Sequence, residues 1–181
     1  MIEWGNGIIF SLLYKPAMEK AVTSVFQELG SSPFSYKRLH VSDVKDLWKM
    51  IYLQEDSDLT YFSPHEFDSM SLEKQFHNRA FLMMGAYDKD RLVGYFFLRF
   101  FANRKCFVGR LIDKPYRGKG IGNVMNTIMY QIAWRMGFRC LSTISKNNDA
   151  VIRAHAKNST MVVLKELQND YMLVEFVKGG E

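Results

Sequence analysis

A chain of 181 residues, 48% hydrophobic and 14% aromatic, carries enough apolar material for one substantial core. Its 24 basic and 19 acidic residues leave a formal charge of +5 spread along the chain, too mild and dispersed to single out a nucleic acid; it points to phosphates at most. The two cysteines, Cys106 and Cys140, lack metal-ligand spacing and lie in apolar runs, so reduced buried thiols, no metal and a cytoplasmic setting are expected.

Near the N-terminus, IIFSLLY is too short to span a bilayer and has no basic leader or convincing cleavage site, so neither a membrane span nor a signal peptide is expected. In PAMEKAVTSVFQEL, residues Ala17, Met18, Ala21, Val22, Val25, Phe26 and Leu29 recur at helical spacing up to Gly30, which predicts a helix docked on the main body. The linker-like LGSSPFS at 29–35 divides an N-terminal extension, 1–35, from a main domain, 36–181. Three roles stay open for the extension: completing the core, covering a cleft, or forming a homodimer contact.

From Tyr36 the pattern mixes. YKRLH reads as a short strand, and SDVKDLWKMIYL as a helix capped by Ser42 or Asp43 with Val44, Leu47, Trp48 and Ile51 on one face. A second helical region is expected within PHEFDSMSLEKQFHNR. AFLMMGAYD and RLVGYFFLRFF, joined by the polar turn Asp88 to Asp90, predict a hairpin, and KCFVGRLID adds a third strand after the turn at Asn103 to Lys105. Beyond it, Ile121, Val124, Met125, Ile128, Met129, Ile132 and Met136 follow helical spacing and Gly137 supplies a stop. FRCLSTIS then reads as a strand parallel to the one before that helix, since a helical crossover connects them.

Between strand and helix lies RGKGIG, 117–122. The first turn of a helix has unpaired N–H groups and a partial positive charge, and glycines let an anion approach them. Gly118, Gly120 and Gly122 would admit a diphosphate, with Arg117 and Lys119 adding charge at the rim. The loop is not a Walker motif, because no Lys-Ser or Lys-Thr follows the glycines. It is also a poor dinucleotide fingerprint, since the chain opens without the βαβ unit that motif needs.

Arg117-Gly118-Lys119-Gly120-Ile121-Gly122, preceded by Leu111-Ile112 and Pro115-Tyr116, resembles the acyl-CoA loop of the GNAT superfamily of acyltransferases, whose pattern Arg/Gln-x-x-Gly-x-Gly/Ala is met at Arg117, Gly120 and Gly122. SKNNDAVIRAHAKNST resembles the family's later helix, with Asn148, His155 and Lys157 in register; Asn158, Ser159 and Thr160 depart from the usual Gly-aromatic corner. The resemblance runs from about Tyr36 to the end. It implies an α/β (α+β) fold with a mixed, mostly antiparallel seven-stranded sheet, splayed at its centre and flanked by helices. It also implies acetyl-CoA as cosubstrate, held by Ile112, residues 117–122, Asn148 and Lys157.

The chemistry so implied is direct acyl transfer to an amine, which needs a polarised carbonyl, a neutral amine and a stabilised thiolate. An N–H from around Leu111 or Ile112 would meet the acyl oxygen. His155 is the preferred general acid, with Tyr130 and Tyr116 as alternatives, although a histidine there can equally bond within the helix face or touch CoA. Asn148 is either a CoA contact or a helix cap. No carboxylate is evidently placed to deprotonate an ammonium whose pKa is about 10. Arg110 faces the acceptor or serves as a structural ion-pair residue, and His65, Glu66 and Asp68 either line the acceptor side or start a helix.

The resulting expectation is an N-acetyltransferase acting on a primary amine of a small metabolite or amino sugar, with no nucleic-acid or membrane partner. The alternative is a catalytically inactive CoA- or nucleotide-binding regulatory module.

Overall fold

The computed structural model describes residues 2–62, 64–156 and 158–179. Its centre is the expected meander: β2 (Phe81–Asp88), β3 (Arg91–Phe101) and β4 (Lys105–Ile112), all antiparallel. Both β2 and β3 are buried on each face along nearly their whole length, so they read as continuous apolar runs instead of alternating ones. Helix α5 (Ile121–Arg135) crosses from β4 to β5 (Arg139–Ser145), which lies parallel to β4. With β1 (Ser35–Arg38), β6 (Thr160–Glu166) and β7 (Tyr171–Val177), the strands form an open seven-stranded sheet in the order β1-β2-β3-β4-β5-β7-β6, antiparallel except at β4–β5. The expected fold class is therefore what the chain adopts.

Helix α1 (Ile2–Gln27) is longer than the periodicity predicts, because the pattern was clearest from Pro16, a residue usual at a helix start. Proline costs the helix one backbone hydrogen bond. Tertiary contacts offset that loss: fully buried Phe10 stacks on Phe100 at 4.9 Å, and the Asn6 side chain bonds Phe100 O and Ala102 N, each at 2.9 Å. Helix α1 thus joins α5 in one apolar layer with Met18, Ala21 and Val25.

The opposite layer holds α2 (Val44–Tyr52), α3 (Asp56–Leu59) and α4 (Ser69–Phe76). Val44, Leu47, Met50 and Ile51 are the buried face of α2, while Trp48, expected inside, is 39% exposed and stacks on Tyr52. The short α3 was not anticipated. Residues 64–68, expected to be helical, are irregular, and α4 begins only where the Asp68 carboxylate accepts the Ser71 N–H at 3.0 Å.

The decisive feature for function is where β4 and β5 part. They pair only at Lys105↔Arg139, Cys106↔Cys140 and Phe107↔Leu141. A last tie, the Ser142 hydroxyl donating to the Val108 carbonyl at 3.1 Å, marks the apex of a wedge. Beyond it β4 stays with β3 and β5 with β7, and the space between them opens. Helix α6 (Asp149–Ala156) closes one flank.

Candidate active site

The wedge opens into a cavity of about 940 Å³, lined by residues 107–112 of β4, 142–145 of β5, the glycine loop, α6 and the α3 segment. In the loop, Gly118 (φ +77°) and Gly120 (φ +84°) are left-handed, and an added Cβ at either would meet nothing within 4 Å. Conformation, not crowding, asks for glycine there. Gly122 answers a different need, since a Cβ would come within 3.0 Å of Arg110 Nη1 and 3.2 Å of Ile112 Cδ1.

Gly120 is the N-cap of α5 and offers no side chain. Its carbonyl takes the N–H groups of Asn123 and Val124 at 3.1 and 3.4 Å, while those of Lys119, Gly120, Ile121 and Gly122 find no acceptor among the described residues. Such a run of free donors at the positive end of a 15-residue helix suits a diphosphate. The loop's cations are less free than expected. Arg117 donates from Nε to Ile112 O at 3.1 Å and from Nη1 to Asp58 at 2.6 Å, and Lys114 pairs with Glu55 at 2.9 Å, so α3 and the residue before it hold two of them. Arg117 keeps the Asp58 carboxyl below its ordinary pKa, although the other Asp58 oxygen is buried without a partner. The Lys119 ammonium sits 4.7 Å over the Tyr116 ring, whose hydroxyl bonds Asp88 at 3.1 Å.

Strand geometry separates the two candidates for the carbonyl donor. Asp113 N bonds Val93 O at 2.9 Å, and with the register Leu111↔Tyr95 and Ile112↔Gly94 the antiparallel alternation turns the Leu111 N–H toward β3. The N–H groups of Arg110 and Ile112 face the wedge instead. Of the two, Ile112 has the wedge-facing N–H, and Leu111 contributes a buried side chain to the opposite layer.

His155 lines the cavity but is 5% exposed, stacked on Phe176 at 4.4 Å, and its Nδ1 is hydrogen-bonded to the Tyr130 hydroxyl. Burial, with a smaller push from the Arg110 cation, lowers its pKa to about 3, so the imidazole is neutral at physiological pH. Burial likewise drives the Tyr130 hydroxyl far above its usual range. Tyr130, the alternative general acid of the sequence reading, thus belongs to the same polar cluster. Asn148 accepts the Val151 N–H at 3.2 Å as the cap of α6 and also lines the cavity.

Arg110 lines the cavity from the α5 side of β4, donating from Nε to Asn126 Oδ1 at 2.8 Å. It makes no ion pair among the described residues. His65 and Glu66 stand apart from the cavity-lining residues. His65 gives its Nδ1–H to Glu66 O at 2.8 Å, so Nε2 accepts from the Tyr95 hydroxyl at 3.0 Å, and burial holds its pKa low. Lys157 lies outside the described residues. Asp58, Ser142 and Asn126 escaped the sequence reading; only the acid-rich QEDSD gave a hint of the first. Among the described residues there is no cluster of three or more metal-ligating side chains, and no helix is long and apolar enough to cross a membrane.

Solved structures with the same architecture are numerous. PaiA N-acetyltransferase from Thermoplasma acidophilum in complex with coenzyme A superposes with a TM-score of 0.67 at 16% identity, over 80% of this chain and 98% of that one. RimL, the ribosomal L7/L12 alpha-N-protein acetyltransferase in complex with coenzyme A, gives 0.64 at 15%, over 81% and 96%. YncA from Salmonella typhimurium with its cofactor acetyl-CoA gives 0.58 at 13%, over 80% and 92%. Among curated proteins, none is similar enough in sequence to count as a relative. The profile of the acetyltransferase (GNAT) family matches residues 47–159, from within α2 through the wedge and the glycine loop to the end of α6. The chain belongs to the acetyltransferase (GNAT) family.

Proposed function

We propose that this protein transfers an acetyl group from acetyl-CoA to a primary amine of a small metabolite or amino sugar, by direct attack and without a covalent enzyme intermediate. The observation that carries this reading is the wedge between β4 and β5 ending in a loop of unpaired N–H groups. The free donors of residues 119–122 would hold the diphosphate, with Arg117, Gly118 and Asn148 beside them. Acetyl-CoA supplies the activated acyl group. The wedge-facing N–H groups of Arg110 and Ile112 are oriented to donate to a carbonyl oxygen. Asp58 is the carboxylate among the cavity-lining residues and is spent on Arg117, so the amine's proton leaves through water. A small acceptor is supported by the aromatic side chains of Tyr61, Phe62, Phe97, Phe101 and Phe107 that line the cavity. RimL, by its name, acts on a protein N-terminus, and peptide amines belong in the same screen.

The neutral His155 and the absence of a free carboxylate among the cavity-lining residues favour, as a second reading, a module that binds CoA without transfer. Calorimetric titration with acetyl-CoA and CoA, repeated with Gly120→Glu, tests both. Binding that is lost in the folded variant supports the cradle; no binding by the parent overturns it. Amine-dependent thiol release then separates enzyme from binding module.

A further inference from the structure

We infer that Arg110 is the counter-ion that receives the departing thiolate, a role that rests on the acyltransferase reading above. The guanidinium leaves β4 two residues beyond the apex at Val108 and two before Ile112, on the face toward α5 and α6. It is held by uncharged groups. Asn126, fully buried, accepts from Nε at 2.8 Å and is itself fixed by donating to Ala154 O at 3.2 Å; Gly122 gives Nη1 the room that a Cβ would take. Arg38, Arg91, Arg117, Arg135 and Arg139 all sit on carboxylates, whereas among the described residues no acid pairs with Arg110. A cation partly withdrawn from water without a counter-charge carries a desolvation cost, so such an arrangement stabilises an anion that arrives later.

The neighbouring titratable groups do not supply that anion. Tyr130 from α5 and His155 from α6 are both neutral at physiological pH, and the remaining charged groups lining the cavity are Arg99, Arg117 and Asp58, with Arg117 and Asp58 bonded to each other. A diphosphate would meet the exposed loop at residues 118–120, outside the half-buried position of Arg110. The anion formed inside, beside His155, is the thiolate. As the amine nitrogen bonds to the carbonyl carbon, the carbon–sulfur bond breaks and its electron pair stays on sulfur. One N–H proton goes to water, and the sulfur departs unprotonated against the guanidinium. His155 orients this pocket through its bond to Tyr130 and gives up no proton.

The test titrates the thiol of CoA bound to the unmutated protein by thiolate absorbance, with the desulfo-CoA complex as baseline. Cys106 and Cys140 are buried with raised pKa values and stay silent in the neutral range. The expected result is about tenfold more thiolate at pH 7 than in free CoA, and a CoA-to-desulfo-CoA affinity ratio that rises by about the same factor with pH, as linkage requires. Arg110→Lys retains part of the effect and Arg110→Met loses it, while both still bind desulfo-CoA. An unshifted thiol in a complex that forms normally, or a shift that survives Arg110→Met, overturns the role of Arg110 and leaves the acyltransferase reading standing. Failure of the unmutated protein to bind either CoA or desulfo-CoA overturns that reading itself. Should Arg110→Met not fold, the measurement on the unmutated protein decides alone.

Discussion

Acidification should unfold this protein through His155, and the effect can be worked from its surroundings. The imidazole is 5% exposed and stacked on Phe176, with Nδ1 on Tyr130, and its pKa falls from the ordinary 6.5 to about 3. The folded state thus keeps it neutral where the unfolded chain protonates it. Between these two values the unfolded state binds one more proton, so the contribution is complete above pH 6.5 and is lost as pH falls toward 3. From pH 7 to pH 4.5 the loss is about 2.5 kcal/mol from this group alone. His65, also lowered by burial, and the depressed carboxyls of Asp58, Asp68 and Glu175 lose stability in the same direction, so the parent's slope by itself is not diagnostic. The difference from His155→Gln is. Urea unfolding of both proteins at half-unit steps should show the parent more stable at pH 7 and the gap closing by about 2.5 kcal/mol at pH 4.5. Parallel curves would refute the claim that His155 is held neutral, and would restore it as a proton donor.

Asp58→Asn releases Arg117 from its ion pair and should tighten CoA binding several-fold at low salt, read by calorimetry; unchanged affinity would mean that Arg117 plays no part in the cradle. Gly120→Ala should lower stability by about 1 kcal/mol, because φ +84° strains any L side chain even in open space, whereas Gly122→Ala should leave thermal unfolding nearly unchanged yet weaken CoA binding by pressing on Arg110. Phe10→Ala should cost about 3–5 kcal/mol in chemical denaturation, the figure for an aromatic in a packed core; a loss below 1 kcal/mol would show that the first half of α1 is dispensable.

What could be read from the sequence depended on how local each signal was. The meander, the crossover helix and the glycine loop are written in runs of neighbours: Phe81–Asp88 against Arg91–Phe101, then Ile121 to Met136 at helical spacing ending at Gly137. The start of α1 was not legible, because Asn6 and Phe10 are helical by virtue of Phe100 and Ala102, 90 or more positions away. Residues 64–68 failed for the converse reason: their composition suits a helix start, yet His65 is drawn to Tyr95 before the helix begins at Ser69.

The site divides along the same line. Backbone donors at 119–122 follow from the order strand, glycine turn, helix, and could be placed without coordinates. The electrostatics could not, since they depend on which charges meet across the sheet. Nothing in QEDSD says that Asp58 will take Arg117, and nothing in VGRLI says that Arg110 will find Asn126 where Arg117 finds a carboxylate. Read as a motif, His155 suggested a general acid; read with Tyr130, Phe176 and Arg110 around it, it is the neutral member of a pocket whose charge is carried by the arginine. The family's common position is thus kept while the electrostatic work passes to a neighbouring strand. A pocket arranged this way favours formation of thiolate over thiol: above the bound thiol's pKa the amine's proton goes to solvent in the chemical step, and the sulfur regains one only when CoA leaves the pocket below the pKa of the free thiol.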